Sequence, residues 1–208
     1  MEKKTERLIN LVKQAQNEFA ENYLVLAIPG FLTKKFVAYC SMKEDIELIT
    51  KYINLLRKEE DHIIKSSLSY AMISLYGKCF TDASKNSYPK LEPNDIFKNQ
   101  LEFQRIHNYL IDLRHQFIAH RGETESEIGI AFMIIPKNED VDKTQLRFSQ
   151  LKQNSFSKEN LDEFENLMNF IHENLMEKIQ KSGQKLHDGY LKMFKPEEIT
   201  QMLMNNAK

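Results

Sequence analysis

Two histidines and two arginines stand close together between Leu113 and Gly122, in a stretch that is otherwise largely apolar. Arg114 carries a permanent charge and a planar fork of donors that suits phosphate oxygens. His115 and His120 can each bind or release a proton near neutral pH. These residue types suffice for cleavage of RNA without a metal. A histidine would move a proton at the ribose 2′-hydroxyl or the leaving 5′-oxygen, and the arginine would stabilise the charge that develops on phosphorus.

The spacing alone does not make Arg114 and His120 a pair. Six residues along a regular helix turn the chain by about 600°, so the two side chains fall on different faces. His120 shares a face with Leu113 and Phe117, whereas Arg114 shares one with Ile118. The two side chains could still meet if the helix ended between them, or if two copies of the chain formed one site.

Structural roles are the alternative for each of these residues. His120 on an apolar face could be an interior histidine, and Arg114 could pair with Asp112 or Glu102 to hold helices together. His107, on the same predicted helix, is expected at the surface. The histidines show no metal-ligand spacing with the two cysteines, so we predict no metal site and no cofactor.

Helical periodicity dominates the elements that must position this stretch. Two strand-like runs, 128–135 and 145–151, interrupt it and predict a β-hairpin between the last two long helices. A lone hairpin is marginally stable in water, so we expect it to lie on the helices or on a partner chain. Long helices are predicted over about 4–19, from a capping box at Ser41 to about 56, from 59 or 60 to 80, from 94 or 95 to about 120, and after Ser157.

The predicted fold class is therefore an all-α helical bundle with a small β-hairpin, within 128–151, before the last long helix. We assign residues 1–185 to this helical domain and residues 186–208 to a C-terminal extension with a short helix starting at Lys195. The chain of 208 residues is long enough for one such domain with an appendage.

Composition restricts the classes of partner. The formal net charge of −1 is unlike that of proteins that bind nucleic acid through many phosphates, so any contact with RNA must be local. Cys40 and Cys79 lie in apolar stretches, which is typical of free thiols in a reducing compartment. No signal peptide follows Met1 and no apolar stretch is long enough to span a bilayer. We therefore expect a soluble, cytoplasmic protein without a membrane partner.

The run Arg-His-Gln-Phe-Ile-Ala-His from Arg114 to His120 resembles the signature of the HEPN superfamily. That signature has an arginine, then directly Asn, Asp or His, and a histidine four to six residues beyond the arginine. The Ile-Ala pair before His120 is similar to the abortive-infection (AbiU-type) branch of the superfamily.

The resemblance implies a HEPN-like bundle that forms a homodimer with the two motifs facing each other. It implies a metal-independent endoribonuclease that acts on RNA, such as tRNA or mRNA, in a toxin–antitoxin or antiviral defence system, with an antitoxin or regulatory protein as a further partner. Carried over by position, Arg114 and His120 would be the catalytic pair and His115 the polar helper. Some members keep the fold without the activity. A non-catalytic interaction module that binds a protein or a nucleotide is therefore the alternative, and an antitoxin-like regulatory subunit is a third hypothesis.

Overall fold

A computed structural model describes residues 2–19, 21–23, 25–82, 88–115, 127–137, 144–152, 155–195, 197–198 and 201. Within these ranges the chain is mostly helical, and the two strands form one antiparallel hairpin before the last long helix, as predicted. No helix among them is long and apolar enough to cross a membrane. The elements in chain order are α1 (Glu2–Phe19), α2 (Gly30–Leu56), α3 (His62–Phe80), α4 (Pro93–Ile96), α5 (Leu101–Leu113), β1 (Glu127–Ile134), β2 (Gln145–Lys152) and α6 (Lys158–Leu191).

The chain divides into two compact units, one of residues 1–38 with 178–208 and one of residues 39–177. In the first unit, the Tyr190 hydroxyl donates a hydrogen bond to the carbonyl oxygen of Ala27 over 3.3 Å. The Phe36 ring packs against Gly183, where an added β-carbon would lie 3.2 Å from the ring. The large apolar side chains of α1, including Leu8, are about half exposed. The predicted boundary between residues 185 and 186 stays a prediction.

Four helical segments bury a common core in the second unit. Their apolar residues recur every three or four positions, which places them on one side of each helix. Arg57 follows α2 and pairs through Nη2 with Asp162 and Glu165 of α6, over 2.6 and 2.8 Å. The central buried side chains are Ile46, Ile49 and Ile53 of α2, Met72, Ile73 and Tyr76 of α3, Ile106 and Leu110 of α5, and Phe164, Leu167, Met168, Ile171 and Leu175 of α6.

The predicted helix start at Ser41 is wrong, and so is the prediction of one uninterrupted helix from 94 or 95. The expected helix start at Ser41 is absent because α2 runs through this residue. The stretch 31–56 contains neither Gly nor Pro, so nothing in it interrupts the helix. The predicted helix from 94 or 95 is instead split into α4 and α5. Asn99 separates them with a positive φ of 63°, a conformation that Asn tolerates better than most residues.

The hairpin has the predicted extent and a continuous register from Glu127↔Lys152 to Ile134↔Gln145. The Phe148 ring covers Gly129 diagonally, with ring carbons 2.9 and 3.2 Å from the position of an added β-carbon. None of the hairpin's described side chains is buried. Most of the predicted C-terminal helix that starts at Lys195 lies outside the described residues.

Candidate functional site at the end of helix α5

The last turn of α5 presents two of the three predicted site residues. Leu113 is buried and fixes the helix end in the core, whereas Arg114 is half-buried and His115 is exposed. The backbone N–H of Arg114 donates to the carbonyl oxygens of Leu110 and Ile111. The wider π-type turn then takes in Arg114 and His115. Such turns occur mostly as local insertions in helices, frequently at functional sites.

Arg114 lies directly against the backbone of α3 at Gly77. A β-carbon added to Gly77 would overlap Cδ of Arg114 and would lie 2.5 Å from Nε and 3.1 Å from Cζ. Gly77 itself is buried, and its carbonyl oxygen accepts a 2.8 Å hydrogen bond from Oγ1 of Thr81. The absent side chain therefore leaves the space in which the arginine stem crosses α3.

The third predicted site residue, His120, lies outside the described residues, as does the whole stretch 116–126. The convergence of Arg114 and His120 thus stays a prediction. The alternative that Arg114 pairs with Asp112 or Glu102 finds no support, because no ion pair among the described residues involves Arg114.

A buried polar pair joins the same two helices. The Tyr76 hydroxyl and Nδ1 of His107 share a hydrogen bond of 2.7 Å. The rings of Phe80 and Phe97 lie against the imidazole, with centroids 4.5 and 4.9 Å away. His107 is only 5% exposed, so its predicted surface position is wrong. The sequence around His107 does not predict its burial, because the side chains that cover it, Tyr76 and Phe80 of α3 and Phe97 before α5, are distant or outside its helix.

Burial changes the acid–base properties of this pair. Desolvation lowers the pKa of His107 to about 4 and raises that of Tyr76 well above its usual range. His107 is therefore neutral at physiological pH, and both groups are poorly suited to exchange protons with a substrate there. Their role is to fix α3 against α5. Tyr76 directly precedes Gly77 on α3, and His107 lies two turns before Arg114 on α5.

Two grooves on the described surface are well formed, and neither is lined by Arg114 or His115. One, of about 270 Å³ and within the first unit, is apolar with Lys35 and Lys185 among its lining residues. The other, of about 360 Å³, lies between α5 and α6 and is lined by three glutamates, Glu102, Glu163 and Glu173. Three carboxylates repel phosphate, so this second groove is unsuitable for an RNA backbone.

The described ranges also bear on metal binding and on nucleophilic cysteines. No group of three or more His, Cys, Asp or Glu side chains there could hold a metal ion. Burial raises the pKa of the Cys79 thiol to about 12 and also raises that of Cys40. Both cysteines are free. Since the thiolate is the nucleophilic form, neither cysteine is activated at neutral pH.

Comparison of the chain with models of protein families, with curated proteins and with solved structures found no match. The resemblance to the HEPN superfamily accordingly rests on the motif from Arg114 to His120 and stays a prediction.

The sequence pattern did not identify Gly77 as the neighbour of Arg114, or Tyr76 as the hydrogen-bonding partner of His107. A signal was available for Gly77, because an isolated glycine inside a helical pattern usually has a packing reason. No such signal identifies Tyr76, since tyrosine is common on the buried face of a helix.

Proposed function

We propose that this protein is a metal-independent endoribonuclease of the HEPN type, with a role in bacterial defence or as the toxin of a toxin–antitoxin pair. The observation that carries the proposal is the motif from Arg114 to His120 at the end of α5, with Arg114 half-buried and His115 exposed. The described helix end presents the Arg114 cation beside the exposed His115, and His120 follows five residues later in the sequence.

In the proposed reaction the ribose 2′-oxygen attacks the adjacent phosphorus and the bond to the 5′-oxygen breaks. His120 removes the proton from the 2′-hydroxyl or donates one to the leaving 5′-oxygen, and water carries out the other of these two proton transfers. Arg114 stabilises the extra negative charge on the phosphoryl oxygens in the transition state. His115 acts as the polar helper beside Arg114. The products are a 2′,3′-cyclic phosphate and a 5′-hydroxyl end.

The packing of Arg114 on Gly77 supports the positioning part of this proposal. A guanidinium on a free stem samples many rotamers, whereas one whose stem lies along a neighbouring helix loses less entropy when it binds a phosphate. The same contact also favours the alternative, a non-catalytic module in which Arg114 serves the packing of α3 and α5. The two functions therefore have to be distinguished by variants of Arg114 that keep the aliphatic part of its side chain.

The test compares the wild type with His120→Ala and Arg114→Met on total RNA and on tRNA, in the presence of EDTA. Met keeps an unbranched apolar stem over Gly77 but has no charge, so fold and stability should change little. We expect cleavage by the wild type and a loss of about 10²-fold or more in each variant. Circular dichroism first confirms that all three proteins are folded.

The alternative predicts a different pattern in the same assay. A wild type that is folded but leaves both RNAs intact, alone and with its genomic neighbours co-expressed, would favour the interaction module. Cleavage that persists unchanged in His120→Ala would exclude His120 as the proton-transfer group.

A further inference from the structure

An apolar groove of about 270 Å³ lies within the first unit, between α2 and the end of α6. This volume is near the lower end of the range of about 300–1,000 Å³ that small-molecule sites occupy. The lining residues from α6 and the turn after it recur every three or four positions, so they form one stripe. At about 1.5 Å per residue the stripe is about 16 Å long. It consists of Ser182, Lys185, Leu186, Gly189, Tyr190 and Met193.

Two contacts define how α2 runs along this stripe. The Phe36 ring packs against Gly183, near the beginning of the stripe. Earlier in the chain, just before α2, the carbonyl oxygen of Ala27 accepts the hydrogen bond from the Tyr190 hydroxyl, near the end of the stripe. The α2 helix is therefore antiparallel to this part of α6.

The two ends of the groove differ in charge. Lys35 directly precedes Phe36, and Lys185 lies within one turn of the Phe36 contact, so both cationic side chains belong to the same end. Tyr190 and Met193 line the opposite end, which has no charged lining residue. No ion pair among the described residues involves either lysine. The groove thus has a cationic end and an apolar end.

The two hydroxyl groups of the lining already donate to the backbone. Oγ of Ser182 lies 2.7 Å from the carbonyl oxygen of Lys178, and the Tyr190 hydroxyl donates to Ala27. A nucleotide or an extended peptide would therefore find no hydroxyl donor along the apolar part of the groove. The lining suits a ligand whose polar group is a single anion at one end.

Gly189 leaves open space in the lining. An added β-carbon at this position would meet nothing within 4 Å. None of the described glycines has a positive φ, so Gly189 does not serve to terminate the helix. A glycine inside a helix is less favourable than alanine and usually has a packing or functional reason. Gly183 has such a reason in the Phe36 ring, whereas at Gly189 the space itself is the reason that the structure offers.

We propose that this groove binds an unesterified fatty acid of about ten to twelve carbons. Its carboxylate lies between Lys35 and Lys185, and its alkyl chain follows the stripe past Gly189 to Met193. A saturated chain advances by about 1.25 Å per carbon because its C–C bonds are about 1.5 Å long and tetrahedral, so twelve carbons reach about 14 Å. The ammonium groups supply charge-assisted hydrogen bonds, and each buried methylene adds to the affinity.

Size and charge favour this occupant over a helix or a bilayer. An α-helix with its side chains is about 10–12 Å in diameter, so it would enter the groove only with single side chains. A bilayer surface does not enter a concave groove, whereas one alkyl chain fills it along its length. Between residues 178 and 195, five lysines stand against one acidic residue, Asp188, so the surroundings attract an anion.

The first test is calorimetric titration of the full chain with dodecanoate, octanoate and dodecyltrimethylammonium, each below its micelle-forming concentration. We expect dodecanoate to bind. Octanoate should bind about tenfold more weakly, because it has four methylenes fewer. The cationic amphiphile should bind at least about tenfold more weakly than dodecanoate, because the two lysines repel it. Absence of dodecanoate binding, or equal affinity for the cationic amphiphile, would overturn the proposal.

A second test fills the groove without disturbing the fold. Gly189→Leu places a side chain in the open space, and leucine is a better helix former than glycine. His187→Leu is the matched control, since it adds leucine to the same helix at an exposed residue outside the lining. We expect Gly189→Leu to weaken dodecanoate binding at least about tenfold and His187→Leu to leave it unchanged, with circular dichroism confirming that both are folded. Unchanged binding in Gly189→Leu, or equal loss in both variants, would contradict the site.

A third test locates the carboxylate. The double variant Lys35→Gln/Lys185→Gln should weaken dodecanoate binding about fivefold, since each exposed ion pair contributes modestly. Lys34→Gln/Lys192→Gln removes two charges from the same unit outside the lining and should have a smaller effect. Equal weakening by the two double variants would show that overall charge, and not these two lysines, holds the anion.

Sedimentation of the wild type and of Gly189→Leu distinguishes a protein occupant. A dimer that Gly189→Leu dissociates would assign the groove to a second copy of the chain and overturn the fatty-acid site. The inference is independent of the proposed function, because dodecanoate binding is measured without RNA. An inactive wild type that binds dodecanoate would refute the nuclease alone, and an active one that does not bind it would refute this site alone.

Discussion

The side chain of Arg114 crosses α3 at Gly77, in the space that a β-carbon would occupy. The position of the guanidinium at the end of α5 therefore depends on the absence of a side chain at Gly77 of α3. The arginine of the motif is thereby positioned by a residue more than thirty positions earlier in the chain.

Gly77→Ala is expected to lower the free energy of unfolding by about 1 kcal/mol. Alanine is favoured over glycine in a helix interior by about 1 kcal/mol, but overpacking against the Arg114 stem costs about 1–3 kcal/mol. Chemical denaturation measures the difference. In an Arg114→Ala background the same substitution should be neutral or stabilising, because the overlapping atoms are then absent.

Gly189→Ala is the matched control for this change, since an added β-carbon there meets nothing within 4 Å. We expect this variant to be unchanged or more stable by up to about 1 kcal/mol. Equal changes in the free energy of unfolding for the two alanine substitutions would show that the Arg114 contact does not contribute to stability. If the nuclease proposal holds, Gly77→Ala should also reduce RNA cleavage while Gly189→Ala does not.

The buried His107–Tyr76 pair predicts that stability is lost in mild acid. His107 titrates near 6.5 when unfolded and at about 4 when folded, so between these values the unfolded chain binds more protons. The free energy of unfolding therefore rises with pH. The contribution is fully present above about pH 6.5 and is lost as the pH falls through about 4, about 3 kcal/mol in total. Urea denaturation at about pH 7 and about pH 4.5 measures it.

The control is the double variant Tyr76→Phe/His107→Leu. Replacing both hydrogen-bonding partners by apolar groups of similar shape is less costly than removing one of them, which leaves the other buried and unpaired at about 1–3 kcal/mol. The double variant keeps every surface carboxylate, so it retains their share of acid sensitivity. A pH dependence identical to that of the wild type would show that His107 does not carry the effect.

Asp61 and Ser41 are predicted to respond differently to alanine. The Asp61 carboxylate accepts hydrogen bonds from the amides of Ile63 and Ile64, at 2.7 and 3.1 Å, and caps α3. Asp61→Ala should cost about 1 kcal/mol. Ser41 lies inside α2, so Ser41→Ala should have no effect or raise stability slightly, since alanine is the better helix former. A loss of about 1 kcal/mol in Ser41→Ala would indicate a helix start at that residue. Thermal unfolding of the two variants beside the wild type decides between these outcomes.

The sequence by itself determined the helical class, the extent of the hairpin and most helix boundaries. These features depend on local periodicity, on Pro and Gly positions and on strand propensity, all of which can be read from one amino-acid sequence. The predicted start at Ser41 was wrong and the break around Asn99 was missed, both for local reasons as well. A capping pattern can occur inside an uninterrupted helix, and a single asparagine with positive φ can split one.

The motif from Arg114 to His120 was also found in the sequence, because its residue types and order are local. The side chains that surround the motif could not be predicted from the sequence. That Gly77 makes room for Arg114, that His107 is buried against Tyr76, and that the hairpin's apolar residues stay exposed all depend on which distant side chains meet. Those contacts are set by the packing of α3 against α5 and by the strand register. Periodicity within one element shows which of its faces is apolar but does not identify the element that packs on it.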